Sequence, residues 1–161
     1  MSSALVDAGP ALQFQRAMPV LEISDMVGSL AFYKDKLGFD AATWGEPPSF
    51  AIVQRGEVTL ALALVAGGTA TVSRKTWAAY IYVRNVDNLF AELRAAGVAV
   101  ADPPENRPYN CREMIIDDPD GHILAFGQVL DPETRGPGLS ERIGRDAALS
   151  GQSGANDTRT Q

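Results

Sequence analysis

Apolar and polar positions change period several times along the chain. Over residues 18–23 they alternate, with Leu21 and Ile23 on one face and Met18, Val20 and Glu22 on the other, which predicts a strand. Ser24 and Asp25 then offer a helix cap. Met26, Leu30, Tyr33 and Leu37 recur at helical spacing up to Gly38, a natural stop. Residues 39–44 and 50–54 read as strands around a turn at 45–48, and Arg55-Gly56-Glu57 turns the chain into a third, nearly all-apolar strand at 58–65. After a Gly- and Thr-containing connection, the order returns. Residues 77–83 predict a strand, and Asn85 caps a helix carrying Val86, Leu89, Phe90 and Leu93, with Gly97 as its stop. A short strand at 98–100, a Pro-rich loop at 101–110 and two strands at 111–116 and 122–128 complete the pattern. The last two are joined by Asp117-Asp118-Pro119-Asp120-Gly121, a strong turn signal.

The two halves superimpose as text. Leu21-Glu22-Ile23-Ser24-Asp25 lies over Ile81-Tyr82-Val83-Arg84-Asn85 at an offset of 60, the helix-ending Gly38 and Gly97 differ by 59, and the hairpin glycines Gly56 and Gly121 by 65. This is a βαβββ unit written twice. One helix covers one face of each sheet, so the other face needs a second cover. Pairing the units so that their curved mixed sheets enclose a cleft is the economical solution, and the predicted class is α+β. The predicted boundaries are an N-terminal arm at 1–16, a single domain at 17–130 with units about 17–65 and 76–130, and a tail at 131–161. The tail is poor in large apolar residues and carries one candidate helix at 140–149.

Composition narrows the chemistry. The 161 residues carry a net charge of -6, with one Cys and one His. An acidic surface repels phosphate backbones, so nucleic acid is not an expected partner. Cys111 alone builds neither a disulfide framework nor a cysteine zinc site, and His122 alone cannot supply a multi-histidine centre. No apolar run approaches the ~20 residues of a membrane span. The N-terminal segment lacks a basic start followed by an apolar stretch, so a cytoplasmic protein without membrane partners is expected.

The stretch SDMVGSLAFYKDKLGF, the segment DDPDGHILAFGQ and the tandem unit order resemble the vicinal-oxygen-chelate superfamily, which includes glyoxalase I, extradiol dioxygenases, fosfomycin-resistance enzymes and bleomycin-resistance proteins. The resemblance covers about Met18 to Gln128. It implies metal ligands at four places, which here hold Met18, Leu60 or Ala61, Ala78 and Ala125; none of these side chains suits a divalent ion. The metal-free, bleomycin-resistance-like branch is therefore the implied one. It carries the expectation of no cofactor, a homodimer and a hydrophobic or cationic small-molecule ligand such as an antibiotic.

The same resemblance directs side chains of Met18 parity into the cleft: Met18, Val20 and Glu22, then Ala78, Tyr80 and Tyr82, with Ile123, Ala125 and Gly127 from the last strand. Glu22 is the candidate counter-ion for a basic ligand, its alternative being a partner for an internal arginine such as Arg112. Tyr80 and Tyr82 can stack on a planar ligand or attract a cation, and Trp44 at a strand end can act as a platform. Trp77, of opposite parity to Tyr80, is expected beneath the helix. Arg112 and Glu113 point to opposite faces, so one of them enters the cleft and both are candidates. His122 is expected to face away from the cleft, and Cys111 lacks an evident base. Two other readings remain: a cofactor-free isomerase, lyase or cyclase using Glu22, Glu113 or Tyr80 as acid or base, and a diverged metal-dependent lyase or dioxygenase.

Overall fold

The computed structural model describes residues 14–133. Residues 1–13 and 134–161 lie outside it, and with them most of the expected arm and tail and the helix expected at 140–149. The first unit runs β1 (Val20–Ile23), α1 (Met26–Ala31), a π-helical turn (Phe32–Lys36), β2 (Asp40–Trp44), β3 (Phe50–Arg55) and β4 (Val58–Leu64). The second runs β5 (Ala79–Tyr82), α2 (Val86–Ala95), β6 (Val100–Arg107), β7 (Cys111–Asp117) and β8 (Ile123–Val129). Each forms a four-stranded mixed sheet with the same plan, β1-β4-β3-β2 and β5-β8-β7-β6, in which the first strand pairs parallel with the last. The tandem α+β architecture expected from the repeat is the one observed.

The local signals act as anticipated. Asp25 accepts from Val27 N at 3.0 Å and Asn85 from Asn88 N at 2.8 Å, each satisfying a free amide at a helix start. Gly38 and Gly97 end the helical segments at φ of 70° and 76°, where a side chain would be strained. The π-helical turn widens the end of the first helix, and Tyr33, Leu37 and Phe39 all enter the core.

One core serves both units. Leu21, Ile23, Val53, Leu60 and Leu62 of the first sheet meet Met114, Ile116, Leu124 and Phe126 of the second through Met26, Tyr33, Leu37, Val86 and Leu93. Each sheet therefore spends one face on this shared core and leaves the other outward. Arg55 ties the β3–β4 hairpin to α2 through Glu92 at 2.8 Å, and Lys36 Nζ donates to Ala96 O at 2.9 Å.

Two expectations are corrected. The Pro-rich segment 101–110, expected as a loop, forms most of β6, with register shifts between Val100 and Asp102 and between Asp102 and Glu105. This edge strand tolerates Pro103 and Pro104 because they fall within the second register shift, where neither has a ladder partner. Trp77, expected beneath the helix, is 44% exposed. It precedes β5, so strand alternation does not govern its direction.

Candidate functional site

The outward face of the first sheet follows from strand register. Glu22, Ala63, Phe50 and Trp44 form one row across the four strands, and Val20, Ala61, Ile52 and Ala42 form the next. Trp44 and Phe50 pack with ring centroids 6.0 Å apart. Alanines in the middle and bulky side chains at the rim make a shallow apolar surface, on which Val20 is 59% exposed. Among the described residues no arginine pairs with Glu22: its Oε2 accepts from Thr71 N at 3.0 Å, and nearby Ser24 Oγ accepts from Ala70 N at 3.0 Å. Glu22 thus anchors the connection between the units. Met18 precedes β1 and is exposed.

The outward face of the second sheet is chemically richer. Its rows are Tyr80, Ala125, Ile115 and then Tyr82, Gly127, Glu113, Glu105. Tyr80 lies flat across β8 because Gly127 has no side chain; a methyl group there would meet the ring, 2.6 Å from Cζ. Trp77, Tyr80 and Tyr82 form an aromatic wall, with centroids 4.9 Å and then 5.1 Å apart. An open cavity of about 540 Å³ adjoins it, lined by Trp77, Asp102, Ile115, Asp117 and Ile123 among others. A larger groove of about 700 Å³ lies between the β3–β4 hairpin and α2, and Tyr82 contributes to its lining.

At the centre of the second face Glu113 is 1% exposed. Tyr109 donates to its Oε2 at 2.9 Å, while Oε1 stands 3.6 Å from Arg107 Nε, beyond a hydrogen bond. Arg107 makes its short contact to the exposed Glu105, at 2.9 Å. Among the described residues, the buried Arg107 Nε has no hydrogen-bond partner of good geometry, and the Tyr80 hydroxyl lies near Cys111 and Glu113. Burial raises the Tyr80 phenol above its ordinary value, and the nearby Cys111 and Glu113 add to this. Tyr82 is raised by burial and then by Cys111.

Tyr109 is pushed up to about 12, first by burial and then by its hydrogen bond to Glu113. Against the ordinary 10.0, this proton favours the folded state fully below that value, and the contribution is lost as pH rises through about 12. An ultraviolet titration should show a tyrosinate step at about 12 that Tyr109→Phe removes. A Tyr109 ionising at the ordinary value would contradict the contact.

Arg112 is placed on the opposite face, which corrects its candidacy for the cleft. It forms a bidentate pair with Asp87 of α2, Nε to Oδ2 at 2.8 Å and Nη2 to Oδ1 at 2.9 Å. The pair raises the Arg112 pKa and lowers that of Asp87. Alternation then sends Glu113 outward. His122 is buried away from that face, its Nδ1 2.9 Å from Asp118 Oδ2. Tyr33 of the first unit donates to the same oxygen at 2.9 Å, a junction that residue spacing alone did not reveal.

The four places where the resemblance implied metal ligands hold Met18, the inward Leu60 or outward Ala61, Ala78 and Ala125. Among the described residues, no group of three or more His, Cys, Asp or Glu side chains could hold a metal ion. The acidic side chains nearest the aromatic wall, Asp102, Glu105 and Glu113, surround Arg107 instead. This donor set does not fit the metal used elsewhere in the superfamily.

Comparison with known proteins agrees with this architecture. None of the curated proteins compared with the chain matches it. Among solved structures, the bleomycin-binding protein from bleomycin-producing Streptomyces verticillus, complexed with copper(II)-bleomycin, is 28% identical with a TM-score of 0.57, covering 71% of this chain and 96% of that one. TnmS3, an antibiotic binding protein from Streptomyces sp. CB03234, is 25% identical with a TM-score of 0.53, covering 71% and 97%. A glyoxalase/bleomycin resistance protein/dioxygenase from Nocardioides shares the fold at 21% identity and a TM-score of 0.57, covering 78% and 92%. The family model for the Glyoxalase/Bleomycin resistance protein/Dioxygenase superfamily matches residues 17–126. The chain belongs to that superfamily.

Proposed function

We propose that the protein binds and sequesters a hydrophobic or cationic small molecule, such as an antibiotic, without a metal and without transforming it. The observation that carries this reading is a buried carboxylate, Glu113, beneath a partly exposed aromatic wall on an outward sheet face. A flat cation matches both features, stacking on the rings and meeting a charge already removed from water. The antibiotic-binding relatives support the ligand class.

The cleft in this proposal is completed by a second copy of the chain. Val20, Trp44, Trp77 and Tyr82 stand exposed on the two outward faces, apolar side chains that a second copy would cover. A cytoplasmic location remains part of the proposal; no helix among the described residues is long and apolar enough to cross a membrane. Fluorescence titration with 9-aminoacridine, a planar aromatic cation, tests the reading. Saturable binding by a sedimenting dimer is expected, and Tyr82→Ala should weaken it about tenfold through lost stacking. Turnover of a bound metabolite after chelation would favour a cofactor-free enzyme and overturn sequestration.

A further inference from the structure

We infer that Arg107 is a resident cation over Glu113 that a cationic ligand displaces, so that Glu113, and not Glu22, takes the ligand's charge. This rests on the binding function proposed above and specifies how the site is occupied.

A carboxylate as buried as Glu113 is costly unless its charge is answered. Tyr109 supplies one hydrogen bond at 2.9 Å, but the Arg107 guanidinium stands off at 3.6 Å and spends its best contact on the rim. Its other contact, to Asp102, is 3.8 Å. One arginine thus faces three carboxylates, of which the two rim ones are largely exposed. The cluster keeps an excess of negative charge when Arg107 is in place.

Arg107 is also the group built to move. It ends the edge strand β6 next to the turn into β7, and its side chain is 24% exposed against 2% for Glu113. Sliding toward Glu105 and Asp102 would uncover Glu113 while keeping the guanidinium paired at the rim. An incoming ammonium or amidinium would then meet the carboxylate beside the Tyr80 hydroxyl. Glu22 offers no equivalent, because it is exposed and its charge stays in water.

Two probes separate charge from stacking: 9-aminoacridine, protonated at neutral pH, and acridine, neutral under the same conditions. Removing a competing cation by Arg107→Ala should tighten 9-aminoacridine about tenfold and leave acridine unchanged, and Glu113→Gln should weaken 9-aminoacridine by at least about tenfold. In the Glu113→Gln background, Arg107→Ala should have no effect on either probe. Arg107→Gln, which keeps the side chain's bulk, should reproduce the tightening if Arg107→Ala lowers the thermal midpoint. Unchanged or weaker binding of 9-aminoacridine to both Arg107 variants overturns the inference while leaving the binding function standing. Failure of wild type and variants to bind either probe overturns both.

Discussion

Asp118→Ala is expected to destabilise the protein by about 3–5 kcal/mol, because it strips one buried carboxylate from four donors. Asp118 is 5% exposed; its Oδ2 meets the Tyr33 hydroxyl and His122 Nδ1, each at 2.9 Å, and its Oδ1 accepts from the amides of Asp120 at 3.0 Å and His122 at 2.8 Å. Two of these contacts shape the β7–β8 turn. Another ties that turn to the first unit, where Asp120 also accepts from Ser24 N at 3.0 Å. Without the carboxylate, Tyr33 and His122 would be left in the core without their partner. Urea unfolding measures the loss. Asp118→Asn, which can still accept from the turn amides, should lose about half as much. A loss below about 1 kcal/mol for the alanine variant would show that water replaces the carboxylate and that the junction does not hold the units together.

Gly127→Val should reshape the site more than the fold. A side chain at 127 has to occupy the space of the Tyr80 ring, which is the free end of a side chain on an outward face and can swing away. The cost is about 1–3 kcal/mol of lost packing in the aromatic wall. The larger consequence falls on binding: with Tyr80 upright, the flat floor between Tyr82 and Glu113 is lost, and affinity for 9-aminoacridine should drop about tenfold. Near-ultraviolet circular dichroism should report the broken Trp77–Tyr80–Tyr82 stack. Combining Gly127→Val with Tyr80→Ala should recover the stability lost to crowding but not the affinity. Full affinity in Gly127→Val would mean that the flat Tyr80 ring plays no part in the site.

Much of the fold was legible because its signals are local. Asp25 and Asn85 cap helices, and Gly38 and Gly97 stop helical segments, through backbone geometry that depends only on near neighbours. The period-two stretches identified which residues share a face, and the repeat fixed the order of the strands. Misreadings arose where that locality fails. The prolines at 103 and 104 look like a loop until the strand is known to be an edge. Trp77 was assigned by alternation although it lies outside the strand that would impose it. Parity put Tyr80 and Tyr82 on one face of their strand, whereas nothing in the sequence pointed to Tyr109 and Arg107 beside Glu113. They reach Glu113 from the turn before β7 and from the end of β6, a segment whose prolines read as a loop, so no strand parity was assigned to it.

By itself, then, the sequence determined the two βαβββ units and the shared faces within each strand. Only the tertiary structure decided which face of each strand enters the core. That choice turns Glu113 outward and binds Arg112 to Asp87, brings Tyr33 to Asp118, and lays Tyr80 across Gly127. Periodicity follows from the geometry of one stretch of backbone. The choice of face follows from which distant apolar surfaces meet, and that energy is recorded in no single segment.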